Sequence, residues 1–351
     1  MALVFGDSFD HYLATDITKK WSSYSGTGAL LYIETGSALS PHSYGYRMTV
    51  TVGSGYIEKV LATPITTFIC GVWFRPPVVN VAAPIVAFHD SATPANEHVS
   101  VRVDTTGHIT LTRSGTVLAT STNVLVAGTW THLEVKATIG DATADAGTYG
   151  KYEVRVNGSA TNWVPAATNA DTRNGGNTTI GSVRVYSTIN NNYAYSDYYL
   201  LDTTGSQASD FLGPCRFVVI RPVGAGNSAQ FTGNYADNWQ NTADPMADGD
   251  TTFNQSATAG HIDLFTMSDV PAGTVHAIQH VLYARQDAGA QRVLRPKTRI
   301  GGTNYNGVSV NLSPTYAMYT EPVVFSPATG GATAFTAAEV NGAEFGYEVV
   351  S

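Results

Sequence analysis

The chain has 351 residues, a length that suits two domains, and its 43% hydrophobic content is enough for two cores. Charged residues make up only 13% and the net charge is −8, spread without blocks, which excludes a basic nucleic-acid footprint. Thr, Ser, Asn and Gly fill the surface instead, as suits β-rich extracellular or virion proteins.

The opening, MALVFGDSFDHY, has neither a basic n-region nor a long apolar h-region, so no secretory signal is expected. No apolar run approaches the ~18 residues that cross a bilayer, so no membrane insertion is expected. Short strands then follow one another: 67–75 (TFICGVWFR), 83–89 (APIVAFH), 98–103 (HVSVRV), 107–113 (GHITLTR), 130–139, 149–157, 180–186 (IGSVRVY) and 195–201 (YSDYYLL). Turn signals separate them, with TTG at 105–107, RSG at 113–115 and NGG at 174–176. Helical periodicity is absent. The two cysteines, Cys70 and Cys215, lie far apart, and Cys70 sits inside an apolar run, which reads as a buried free thiol.

Near 202–214 (DTTGSQASDFLGP) the pattern breaks into small polar residues and a Gly-Pro. A second strand series follows at 215–222, 261–266, 274–285, 291–299, 306–312, 316–325 and 345–350. One short helix is expected in FTAAEVNGAEFG, where Thr336 caps and Glu339, three residues on, reaches back. The expectation is all-β: two tandem antiparallel β-sandwiches, residues 1–212 and 213–351, the second with one short helix.

WTHLEVK (130–136) and KYEVRVN (151–157) alternate strictly. Leu133, Val135 and Ala137 share one face with Tyr152, Val154 and Val156; His132, Glu134 and Lys136 share the other with Lys151, Glu153 and Arg155. Three readings of the charged face stay open: a solvated or contact surface, a sugar-binding surface, a catalytic cleft. Retaining glycosidases hold two carboxyl groups about 5–5.5 Å apart. Here Lys136 follows Glu134, and Arg155 follows Glu153, at same-face spacing. A cation beside a carboxylate holds its pKa down, opposite to what a glycosidase acid needs.

Other constellations are thin. His276 and His280 (HAIQH) on a strand lie ~13 Å apart, too far to share an ion. DPMADGD (Asp244, Asp248, Asp250) lacks a calcium-loop frame and reads as a turn. The basic run Arg292, Arg295, Lys297, Arg299 is either a solvated strand or a dock for an acidic partner. No GxSxG or P-loop motif is present.

DSFDHY, TFICGVWFRP, GHITLTRSG, GTWTHLEVK, YEVRVNG and SDYYLLDTTG occur in the order found in concanavalin A-like/laminin G-like jelly rolls, which residues 1–212 resemble. E-x-D-x-x-E, the carboxylate pattern of glycosidases on that fold, is absent. The opening together with the closing AAEVNGAEFGYEVV resembles tailed-bacteriophage virion proteins in which such a domain precedes a second β-domain. The resemblance implies a non-enzymatic structural component of the virion (tail, fibre or capsid surface), made in the host cytoplasm. It also implies other virion proteins as partners and a homo-oligomer, with a trimer guessed from phage fibres. It requires no cofactor. Because laminin G-like domains commonly hold calcium, a structural calcium ion on Asp7, Asp10, Asp197 and Asp202 is a further expectation. The alternative is a carbohydrate-binding or receptor-binding protein for host surface polysaccharide, and a polysaccharide depolymerase is the third reading. For contact with sugar or partner, Tyr193, Tyr195 and Tyr198 of the Tyr-rich 186–199 stretch and Tyr319 of YAMYTEPVVF are the candidates.

Overall fold

The computed structural model describes residues 3–25, 31–34, 47–50, 55–141, 149–187, 193–287 and 289–351. It is all-β and antiparallel, in two compact units: Met1–Asp10 with Trp21–Phe217, and His11–Lys20 with Val218–Ser351. This differs from the expected single cut after residue 212 in two ways. Residues 213–217 belong to the first unit, and a ten-residue stretch near the N-terminus belongs to the second.

The first unit is a jelly-roll β-sandwich. Its front sheet orders the strands Ser159–Ala170, Gly150–Val156, Thr131–Thr138, Thr67–Arg75, Ala194–Leu201, Arg47–Val50 and Leu31–Glu34, and Leu3–Asp7 also pairs with Ala194–Leu201. Its back sheet orders Thr116–Val124, His108–Arg113, Glu97–Val103, Ala83–Asp90, Ile180–Ser187, Gly55–Ile65 and Ser23–Ser25. Alternation places Phe68, Cys70, Val72 and Phe74 of one front strand, with Leu133, Val135 and Ala137 of its neighbour, on the inner face. The back sheet contributes Val86, Phe88, Val99, Val101, Val183 and Val185, all buried. The rings of Phe68 and Phe88 touch across the layers, centroids 4.2 Å apart.

In the second unit Pro222–Ala229, Ile262–Met267, Glu344–Val349, Val293–Ile300 and Thr303–Asn306 form one sheet in that order, with Val310–Asn311 added to Val293–Ile300. Ile278–Ala284 and Ala317–Val323 pair as a separate ribbon. One core cluster is Phe231, Leu294, Leu312 and Val349; another is Phe335, Val340, Ala343 and Phe345. The expected helix is present as Ala337–Asn341, and Thr336 Oγ1 caps it by accepting the Glu339 N–H at 3.1 Å. Glu339 does not reach back as expected; its carboxyl accepts the Ser326 hydroxyl instead.

The 215–222 stretch is not a strand. Residues 215–221 pair with no strand, and the first strand of this unit, Pro222–Ala229, lies beyond them. His11–Lys20 carries the short helix Ile17–Lys20, which packs on the strand Ala317–Val323. Ile17 is buried, and Lys19 both bonds the Tyr283 hydroxyl and lies 4.6 Å over its ring. Burying a side chain such as Ile17 is worth about 1.5–3 kcal/mol.

The fragment 218–351 is therefore expected to melt at a lower temperature than the same fragment mixed with a peptide of residues 11–20. Calorimetry of the two samples checks this, and identical melting would show that the segment stabilises nothing.

Candidate functional site

The outward face of the front sheet carries a set of polar side chains suited to chemistry. Register sets Glu134 opposite Gly71 on one side and Arg155 on the other, and sets Gly71 opposite Tyr199. His132, Glu134 and Tyr199 thus converge. At His132 and Glu134 the face is closed, since neither has exposed surface, whereas Lys136, Lys151 and Arg155 farther out still reach water.

What covers it is the stretch 210–217, laid across the strands as a strap. The Leu212 and Gly213 N–H groups donate to Glu134 Oε1 at 2.9 and 3.1 Å, and the Tyr199 hydroxyl donates to the same oxygen at 2.6 Å. Trp73 Nε1 donates to the Cys215 carbonyl at 2.8 Å, and the Phe217 N–H to Asp197 Oδ1 at 2.8 Å. At the strap's other end Asp210 pairs with Lys136 at 3.0 Å, and the Arg155 guanidinium stacks 3.9 Å over the Phe211 ring. Lys136 is thus taken by the strap, not by Glu134 as its spacing suggested.

Two glycines make the fit possible. The Tyr199 ring lies flat over Gly71, where a Cβ would come within 2.0 Å of it. The Phe217 ring covers Gly6, where a Cβ would come within 2.3 Å. Gly213, at φ +74°, takes the left-handed turn that brings its own N–H and that of Leu212 to one oxygen.

The two thiols and the Tyr199 phenol are held in unreactive forms. Burial pushes the Cys215 thiol up to about 12, with the nearby Glu134 and Asp197 charges adding to it. Burial likewise raises Cys70 to about 12 and Tyr199 well above a phenol's ordinary value. Both thiols stay protonated and free, and the Tyr199 phenol stays a donor.

The expected contact tyrosines are elsewhere. Tyr193, Tyr195 and Tyr198 are wholly buried, a correction to the surface role expected of them. Tyr195 and Tyr198 lie on the strand Ala194–Leu201, which is buried along its whole length in the middle of the front sheet, and Tyr193 immediately precedes it. Tyr195 hydrogen-bonds the Tyr186 carbonyl, and Tyr198 packs on Trp21 at 5.4 Å. Tyr319 is half-buried on the Phe231–Leu294 cluster, its hydroxyl accepting the Ser313 N–H at 2.7 Å.

The four aspartates do not assemble a calcium site either. Asp7 accepts the Phe9 N–H and Trp21 Nε1, Asp10 the Ser8 hydroxyl, Asp197 the Phe217 N–H and the Ser196 hydroxyl, and Asp202 the Thr204 N–H and hydroxyl. They tie turns and chain segments. Among the described residues no group of three or more His, Cys, Asp or Glu is placed to hold a metal.

The other sequence candidates are also spent on structure. His276 falls outside the strand that holds His280, and His280 contacts Thr298 Oγ1 at 3.2 Å. Asp244 and Asp248 both accept the Thr252 hydroxyl, while Asp250 pairs with Arg285. Arg295 and Lys297 both bind Glu348.

A second face went unread in the sequence. On the outer side of the back sheet, half-buried Tyr56 and Tyr186 lie 5.4 Å apart and the Arg184 guanidinium sits 4.4 Å over Tyr56. Glu58 holds Arg184 at 2.9 Å and accepts the Ser182 and Ser23 hydroxyls. Buried His89 lies 3.4 Å from the Tyr186 hydroxyl. The signal was present in the alternation of IGSVRVY.

No family model matches the chain, and no curated protein matches it. Among solved structures it is similar to a cellulose-induced protein, Cip1, at 16% identity and TM-score 0.43, covering 60% of this chain and 100% of that one. It is also similar to a PL-14 alginate lyase from Aplysia kurodai, at 9% identity and TM-score 0.42, covering 57% of this chain and 100% of that one. A third likeness is to domain 4 of an extracellular arabinanase from Geobacillus stearothermophilus, at 15% identity and TM-score 0.38, covering 57% and 93%. No helix among the described residues is long and apolar enough to cross a membrane.

Three outcomes follow. Glu134→Ala is expected to cost about 2–4 kcal/mol, since it strands one buried and two half-buried donors; hydrogen exchange at Leu212 and Gly213 should lose its protection first. Gly71→Ala is expected to destabilise by a similar ~2–4 kcal/mol by forcing the Tyr199 ring off the sheet, and Gly71→Ala/Tyr199→Ala should recover part of that in chemical denaturation.

The third concerns pH. Burial, aided by the Arg184 charge, holds His89 down to about 4. Between pH 6.5 and 4 the unfolded chain binds a proton here that the folded chain does not, so stability falls as pH falls through this window and levels off below it. The loss from this group is at most about 3 kcal/mol. His89→Gln should flatten that part of a stability–pH profile, and an unchanged slope would refute the assignment.

Proposed function

We propose that the chain is a non-enzymatic structural protein of a tailed-phage virion, a tail, fibre or capsid-surface component. The observation that carries the non-enzymatic part is the strap: the face where His132, Glu134 and Tyr199 converge is closed by the chain's own residues 210–217. The virion assignment is supported by the residue patterns at the two ends of the chain, DSFDHY and AAEVNGAEFGYEVV. In this reading the protein requires no cofactor, is made in the host cytoplasm and works in the virion. Its partners are copies of itself and other virion proteins.

A second reading, contact with host surface polysaccharide, is favoured by Tyr56, Tyr186 and Arg184 on the back sheet. Aromatic faces stack on sugar rings, and a guanidinium pairs with carboxylated sugars. In this reading that face takes the role expected of Tyr193, Tyr195 and Tyr198.

The purified chain is expected to release no reducing ends and no unsaturated products from host capsule or lipopolysaccharide. Turnover that Glu134→Gln abolishes would overturn the non-enzymatic reading. Antibody against the chain should label intact virions in electron micrographs, and unlabelled virions would overturn the virion assignment. On a glycan array, binding lost in Tyr56→Ala would place sugar contact on the back sheet, and no binding would leave the structural role alone.

A further inference from the structure

The second unit holds a constellation that neither the strap nor any surface role uses. On the strand Val293–Ile300, Lys297 stands directly opposite Asn306 of the terminal strand Thr303–Asn306. Its Nζ donates to Asn306 Oδ1 at 2.7 Å and also contacts Glu348 Oε2. Glu348 lies on the neighbouring strand on the other side, opposite Arg295, which grips its Oε1 at 2.8 Å. An amine, a carboxamide and a carboxylate thus meet on one face of three adjacent strands.

We propose that Lys297 and Asn306 react to form an isopeptide cross-link between the last two strands of this sheet. Glu348 Oε2 takes a proton from Nζ, and the freed amine pair attacks Cγ of Asn306. Glu348 passes this proton to Nδ2, the Cγ–Nδ2 bond breaks and ammonia departs; Nζ gives up its second excess proton to Glu348, from which the ammonia carries it away as ammonium. A new Nζ–Cγ amide remains. No electrons are gained or lost overall, and no oxidant, metal or other reactant is consumed.

The surroundings suit each step. Lys297 is 5% exposed, so its amine is screened from water, whereas Asn306 is exposed and ammonia can leave. Burial raises the Glu348 carboxyl, but Arg295 and Lys297 together outweigh it and hold the group below the usual carboxyl range, so at neutral pH it is the proton-accepting form. The 2.7 Å hydrogen bond to Oδ1 already holds the amine beside the carboxamide whose Cγ it must reach. The competing reaction of an Asn-Gly pair is attack by the glycine N–H on the same Cγ. Here the Gly307 N–H is engaged with the Pro296 carbonyl at 2.9 Å.

The cross-link would tie an edge strand whose other residues, Thr303, Asn304 and Tyr305, bury little. The loop it closes is short, so its effect is to stop that edge from fraying rather than to raise global stability greatly.

The test is the mass of the intact full-length chain, measured after purification and again after long incubation at mildly alkaline pH. The expected mass is short by one ammonia. Protease digestion of the denatured chain should yield a branched peptide joining Lys297 to Asn306, with no cleavage after Lys297. Lys297→Arg and Asn306→Ala should each show the full mass for their sequence. Asn306 is exposed, so its variant is expected to fold. Glu348→Gln should slow or abolish the loss, and the first two variants carry the test if it does not fold. A full mass after incubation overturns the proposal. So does an ammonia loss at Asn306 with Lys297 still open to trypsin, which marks a cyclic imide made by Gly307.

Discussion

The first unit depends on one buried oxygen. Glu134 Oε1 accepts from Tyr199, Leu212 and Gly213, three groups from two distant parts of the chain. A carboxyl group without exposed surface is costly unless hydrogen-bonded, and these donors offset that cost. The same bonds hold residues 210–217 flat on a sheet that would otherwise present His132 and Trp73 to water. Glycine at positions 6 and 71 is a condition of the arrangement, because side chains there would occupy the volume of the Phe217 and Tyr199 rings.

This explains why polar residues suited to catalysis sit together without an open cleft. A catalytic carboxyl must be reached by substrate and must exchange a proton during turnover. Glu134 is reached by its own chain, and the phenol beside it is locked as a donor by burial. The scarcity of charge elsewhere follows the same economy. Arg184 is matched to Glu58, Lys136 to Asp210, and Arg295 with Lys297 to Glu348.

Where both faces of a strand are covered, or one face is strongly apolar, the sequence was readable nearly to the residue. TFICGVWFR is the strand Thr67–Arg75, and IGSVRVY is Ile180–Ser187. Terminal strands such as Thr116–Val124 and Ser159–Ala170 were not, because half-exposed small polar residues leave no alternation to detect. CRFVVIRP failed the other way. Its apolar residues look like a strand, but residues 215–221 pair with no strand. The face of Glu134 was legible from period-two alternation alone, whereas its cover was not. Leu212 is 78 positions away in the chain, and periodicity carries no information about what a distant segment lays over a sheet. The same limit misplaced the tyrosines: a Tyr-rich strand reads as a contact surface until the sheet order puts it in the centre.

The sheet order also decides how the edges are managed. An edge strand exposes unpaired backbone groups, and proteins guard such edges with charge, proline or bulges. Neither Thr116–Val124 nor Ser159–Ala170 contains a charged residue. Ser159–Ala170 has Pro165, which cannot donate to a further strand, and its register with Gly150–Val156 shifts repeatedly. Thr116–Val124 has register shifts but no proline, and Val117 and Val124 on it are at least half exposed. At the edge of the second unit the protection is different again, since Thr303–Asn306 is fastened through Lys297 to the strand beside it. A chain that spends its few charges in internal pairs cannot also use them to repel neighbours. Its edges are therefore closed by backbone irregularity, by proline and by local fastening. Of those compared, the strand of Val117 and Val124 is the least guarded edge for another chain to join.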